Sequence, residues 1–305
     1  MFDEVRRWMH RNARSVELAL WRCLFEDGAA VEVADALLAY QNDDGGFGHA
    51  LEPDCWNPAS TPVATWTAVK YMLWAGFTDQ THPAYRGVWR YLASGKDREE
   101  YGWRFSVPGN DEWPHAPWWS FSEAENLRCW PNVTAGFTAF VLRFGEGQEA
   151  LLRRAEADAR RLLERLADEG AAGEALECCD DLLRAMRLRG LSIPDGAEEL
   201  LHRRQHEAIG RDAAQWRTYV PRPSRFIHSP DSPLYAANAE VVQREVAFLR
   251  ETRGKGGVWP ITWTWFDTMD RYGGEFRISE NWWKAVVAIE NMQFLRAFGG
   301  MEDAP

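Results

Sequence analysis

Apolar residues recur at helical spacing along nearly the whole chain, and hardly any stretch alternates apolar and polar side chains as a half-buried strand would. That periodicity restricts the chain to an all-α fold. Helices are expected over 4 to 25, 30 to 41, 61 to 76, 83 to 94, 132 to 145, 147 to 169, 174 to 190, 195 to 209, 233 to 252 and 279 to 298. Start signals mark several of them: Ser60 before Thr61-Pro62, Asn132 before Val133, and Ser279 followed by Glu280.

The helices are of two kinds. Segment 147 to 169 gathers Leu151, Leu152, Ala155, Ala159, Leu162, Leu163 and Leu166 on one stripe, with charges elsewhere, as an outer helix does. Segments 132 to 145 and 282 to 298 are apolar around most of their circumference, which suits helices enclosed by a second layer. Two concentric helical layers are therefore expected. With 305 residues the chain is long for one domain, but a closed helical barrel buries one continuous core at this length, so a single domain over 1–305 is expected.

A turn recurs between the helices. AYQNDDGGFG (39 to 48) and RETRGKGGVW (250 to 259) share a helix end, a Gly-Gly pair and a following aromatic or apolar residue. The two Gly pairs lie about 210 residues apart, or four to five helix-pair units of about 45 to 50 residues. A left-handed glycine at a helix end lets the chain reverse toward the next layer.

The string Gln41-Asn42-Asp43-Asp44-Gly45-Gly46-Phe47-Gly48 resembles the QxxDGGFG/W repeat of the terpenoid cyclases and the protein prenyltransferase β-subunits. The resemblance implies an α/α toroid, a barrel of helical hairpins in two layers, in which such loops are structural and the chemistry sits in the central cavity. It supports the fold more than the function. The DxDD proton-donor motif of one cyclase class does not occur; Glu177-Cys178-Cys179-Asp180-Asp181 lacks its first Asp. The magnesium-binding DDxx(D/E) run fails as well, because Arg184 follows Asp180-Asp181-Leu182-Leu183. The prenyltransferase zinc ligands, Asp-x-Cys and a distant His, are not reproduced by adjacent Asp54 and Cys55 with His228. No cofactor is expected and no metal ligand is assigned, with zinc or magnesium left as open alternatives.

Three long connectors, 49 to 61, 101 to 131 and 258 to 283, hold eleven of the seventeen tryptophans in 70 residues. Core filling would favour helix interiors, so this placement suggests either a cavity lined by indoles or loops that plug a barrel end. The candidate lining residues are Trp56, Trp103, Trp118, Trp119, Trp263, Trp265 and Trp283. Their faces suit a carbocation or the apolar side of a sugar ring.

The same connectors carry acids. Asp44, His49, Glu52 and Asp54 follow the Gly-Gly turn, and Asp267, Asp270 and Glu280 lie in the last connector. Paired carboxylates with a His suit general acid/base work once burial raises one pKa. Each also has a structural alternative: Asp44 as a turn residue, His49, Glu52 and Asp54 as partners of backbone groups, Asp267 and Asp270 as a solvated turn, and Glu280 at a helix N-terminus. Arg222, Arg225 and His228 lie in a proline-rich segment, 219 to 230, that reads as an ordered loop able to bind an anion.

Charge and cysteine usage narrow the partners. A net charge of −11 repels phosphate backbones, so nucleic acid is not expected. No uncharged apolar run reaches the roughly 18 residues a membrane span needs. Five cysteines without a CxxC pair signal no disulfide framework, which fits a reducing cytoplasm. No Rossmann or Walker glycine loop, HExxH or GxSxG occurs. The expected partner is a small molecule, isoprenoid or carbohydrate. Three readings follow: a terpenoid cyclase-like or prenyl-processing enzyme, a carbohydrate-active glycosidase or lyase, and a non-catalytic ligand-binding toroid.

Overall fold

The computed structural model describes residues 1–167, 176–254 and 256–301. Among them there is no strand, only four isolated bridges, and eleven α-helices carry the fold. These are α1 (Phe2–Asn12), α2 (Ser15–Phe25), α3 (Ala30–Leu37), α4 (Pro62–Trp74), α5 (Pro83–Ser94), α6 (Glu123–Phe144), α7 (Glu149–Ala167), α8 (Leu176–Leu188), α9 (Ala197–Ala208), α10 (Tyr235–Glu251) and α11 (Met269–Ala297). The all-α expectation holds. Two compact units divide the chain, a central one of Leu37–Arg204 and a terminal one of Met1–Ala36 with Gln205–Pro305.

In the central unit α6 packs against α4, α7 and α8. Its second half is buried without interruption from Val133 to Leu142, as its all-round apolar sequence requires. Gly136 makes the α4 approach possible, because a Cβ there would stand 2.3 Å from the Trp66 ring. Helix α7 buries only the stripe from Leu151 to Leu166, each leucine contributing roughly 1.5–3 kcal/mol. Asp158 also lies on that stripe, satisfied by bidentate hydrogen bonds from Arg98 Nη2 at 2.7 and 3.0 Å.

In the terminal unit α1 packs on α2 and α11, and α10 on α11. Leu20, Trp21, Val242, Leu249, Ile289 and Leu295 are fully buried there. Arg14 ties α2 to α11 by lying over the Trp282 ring, 4.8 Å from its centroid.

Several helix boundaries differ from the sequence expectation. Segment 4 to 25 is two helices, because Ala13 and Arg14 are extended. Helix α6 begins nine residues before Asn132: Ser122 caps it by accepting the Glu125 N–H, and Pro131 sits inside the helix. Helix α11 begins at Met269 and passes through Gly273-Gly274, with a kink at Tyr272, so Ser279 and Glu280 are mid-helix residues and start nothing. The N-cap of α4 is Thr61, one residue after the expected Ser60.

Candidate functional site

The Gln41–Gly48 turn is held from every side. Gln41 Nε2 donates to Gly45 O at 3.0 Å and to Ala84 O at 3.1 Å, and Asn42 Nδ2 donates to Pro58 O and Ser60 Oγ, both at 3.0 Å. Gly45 has φ +89°, and a Cβ there would meet Gly87 O at 2.3 Å. Asp44 serves the turn. Its Oδ1 accepts from Gly46 N at 3.0 Å and Ser60 Oγ at 2.5 Å, and its Oδ2 pairs with Lys96 at 2.9 Å. Burial pushes its pKa up, but the Ser60, Lys96 and Gly46 hydrogen bonds outweigh that, and the carboxyl is held below its ordinary value.

After the turn, His49 and Ala50 take left-handed φ values of 53° and 58° and bend the chain inward. His49 is exposed, its Nε2 2.9 Å from Asn42 Oδ1. The bend delivers Glu52 and Asp54 to the interior, where they are 6% and 1% exposed.

Here the connector 49–61 meets the middle of the next one, 101–131. Trp56 N donates to Pro114 O at 2.9 Å, Ala116 N to Asp54 O at 2.8 Å, and Asn57 Nδ2 to Asn110 Oδ1 at 3.0 Å. Glu52 stands at this junction: Oε1 accepts the Trp119 indole N–H at 3.0 Å and Oε2 accepts the Asp54 N–H at 2.7 Å. Burial, then the neighbouring Asp54 carboxylate, push its pKa up to about 8, against the pull of these two donors and of Lys70.

The surroundings are aromatic. Phe105 lies against Trp119 with centroids 4.7 Å apart; a separate cluster of the central unit has Trp103 bridging Tyr91 at 5.8 Å and Phe137 at 5.2 Å. Trp56 and Trp118 are half-buried. A His-Ser pair closes the loop beside Trp119: His115 Nδ1 donates to Trp113 O at 2.7 Å, and its Nε2 lies 3.0 Å from Ser120 Oγ.

The remaining candidates belong to the terminal unit. Asp267 and Asp270 are exposed, in a 3-10 turn and the first turn of α11. Glu280 pairs with Lys284 at 2.7 Å along α11. Trp265 is fully buried against Phe276 and Tyr272, and so fills core. Half-buried Trp263 stands edge-on to Trp283 at 5.2 Å and to Tyr219 at 5.9 Å. Arg225 is half-buried and His228 exposed.

Arg222 is anchored, with Nε 3.1 Å from Glu245 Oε1 and Nη2 donating to Asn291 Oδ1 at 3.1 Å. Glu245, absent from the sequence candidates, is fully buried and also accepts from Ser224 N at 2.7 Å and Ser224 Oγ at 2.6 Å. Burial raises its pKa against the opposing pull of Arg222 and Ser224. Its signal was available in the sequence: it interrupts the apolar stripe Val242, Val246, Leu249 of α10. His115, Ser120 and Asn110 had no such signal, since their pairing is set by the loop's path.

None of the five cysteines is in a disulfide, and burial pushes the Cys55, Cys178 and Cys179 thiols up to about 12. Among the described residues no group of three or more His, Cys, Asp or Glu could hold a metal ion, and no helix is long and apolar enough to cross a membrane. No family model matches the chain, and no curated protein or solved structure matches it.

Proposed function

We propose that the chain is a proton-donating enzyme of the terpenoid cyclase-like or prenyl-processing kind, with Glu52 as its acid. The observation that supports this reading is a carboxyl whose pKa is pushed to about 8, hydrogen-bonded to Trp119 and Asp54 beside an aromatic cluster. Protonating an alkene needs an acid still protonated at working pH and a site without competing water. In the proposed step the alkene π electrons take the Glu52 proton, leaving a Glu52 carboxylate and a carbocation. The faces of Trp119 and Phe105 stabilise that cation through their quadrupoles. Asp54 is a positioning residue, holding Glu52 through its N–H and raising its pKa through its charge.

An α/α-toroid arrangement and a cytoplasmic setting belong to this proposal, supported by the Gln41–Gly48 resemblance and by five cysteines outside any disulfide. Incubation with a panel of linear isoprenoids and their diphosphates, followed by mass-spectrometric product analysis, tests it. Cyclised or rearranged products are expected, with the rate falling as pH rises through about 8 and dropping about 10²–10⁴-fold in Glu52→Gln. Absence of turnover across the panel, or full activity in Glu52→Gln, refutes the reading. Turnover of glycosides instead would transfer the same acid to the carbohydrate-active alternative.

A further inference from the structure

A basic groove crosses one face of the terminal unit, and it shares no residue with the Glu52 site. Its volume is about 580 Å³, within the usual range of small-molecule sites. One wall is the face of α1 that carries Glu4, Arg7, Trp8 and Arg11, spaced as neighbours on a helix. The other wall is Arg250, Glu251 and Arg253 at the end of α10, with Gly254, Gly256 and Gly257.

We infer that this groove binds the oligophosphate moiety of a small organic molecule. Four arginines converge there on a chain whose net charge is −11, so the local field opposes the global one. Among the described residues only one of the two lining carboxylates is engaged by an arginine of the groove: Arg253 Nη1 donates to Glu4 Oε2 at 2.6 Å, and this contact lowers the Glu4 pKa from its ordinary value. The same pairing fixes Arg253, whose Nη1 also reaches Gly257 O at 3.4 Å and whose Nε–H is buried without an acceptor. Arg250 is steadied by its Nε donating to Gly300 O at 3.1 Å.

Arg7 and Arg11 differ. Arg7 gives its Nε–H to Asp3 O at 3.1 Å, and neither forms an ion pair among the described residues. Their planar guanidinium groups present paired donors that match phosphate oxygens. Trp8 adds a second kind of contact. Its Nε1–H meets no acceptor among the described residues, and Gly256 lies beside that edge, where a Cβ would be in ordinary contact with the indole at 3.7 Å. A flat organic group on the indole with its phosphates toward Arg7, Arg11 and Arg250 satisfies both walls.

Isothermal titration of the full chain with ADP and, separately, with inorganic pyrophosphate tests the inference. Binding of both is expected, weakening as salt rises, and tighter for ADP because only ADP carries a ring for Trp8. The paired substitution Arg7→Gln with Arg11→Gln lies on an exposed helix face and is expected to leave the circular dichroism spectrum unchanged while weakening both ligands at least about tenfold. Glu52→Gln is expected to bind ADP as the parent does, which separates this site from the proposed acid chemistry. No binding of either ligand at about 1 mM, or equal affinity in the paired arginine variant, overturns it.

Discussion

The Glu52 pKa is raised because the chain buries the carboxyl next to a second carboxylate and supplies only two hydrogen-bond donors in return. The raised pKa links stability to pH with a definite sign. The folded state holds this proton up to about 8, whereas an unfolded glutamate releases it near its ordinary value of 4.5. The protonated acid therefore contributes fully below about 4.5, and its contribution is lost as pH climbs toward and through 8, by up to about 1.4 kcal/mol per pH unit. Urea unfolding at pH 5 and pH 8.5 is expected to show the parent losing stability across this interval and Glu52→Gln losing less. At pH 5 the Gln variant is weaker by about 1 kcal/mol because one of the two donors loses its acceptor, and that gap closes as pH rises. Parallel pH profiles for the two proteins would show that Glu52 is already ionised at neutral pH.

Elements are joined here by turns whose glycines are sterically required. At Gly45 a methyl group meets both a left-handed φ and the Gly87 carbonyl, whereas at Gly147, with φ +79°, it meets nothing within 4 Å. Gly45→Ala is expected to cost roughly 2 kcal/mol or more, and Gly147→Ala about 1 kcal/mol, read as shifts in urea midpoint at constant slope. Equal costs would mean that the Gly45–Gly87 approach relaxes freely. The helix ends also show where local signals mislead. Pro131 resembles a first-turn proline and Gly273-Gly274 a helix stop, yet packing of Trp130 and Val133 carries α6 through the first and burial of Tyr272 and Phe276 carries α11 past the second.

Across the whole molecule, the division into a central and a terminal unit has a measurable consequence. Gly45 lies in the central unit, so Gly45→Ala is expected to accelerate amide exchange across the described residues of 37–204 more than across those of 1–36 and 205–301. Uniform acceleration would mean that the chain opens as one cooperative body. The tryptophan-rich connectors fall on both sides of the division: 49–61 and the middle of 101–131 zip together in the central unit, and 258–283 lies in the terminal one.

The sequence by itself determined the helices and the glycine turn, because apolar periodicity, capping and backbone sterics act over a few residues and are written where they act. It also limited the acids to a short set that included Glu52. Only the tertiary structure separated that set, leaving Asp44 to a turn, Glu280 to a surface ion pair and Asp267 to solvent, and burying Glu52. A pKa depends on burial and on charges brought in from afar, and the indole that meets Glu52 arrives from 67 residues along the chain.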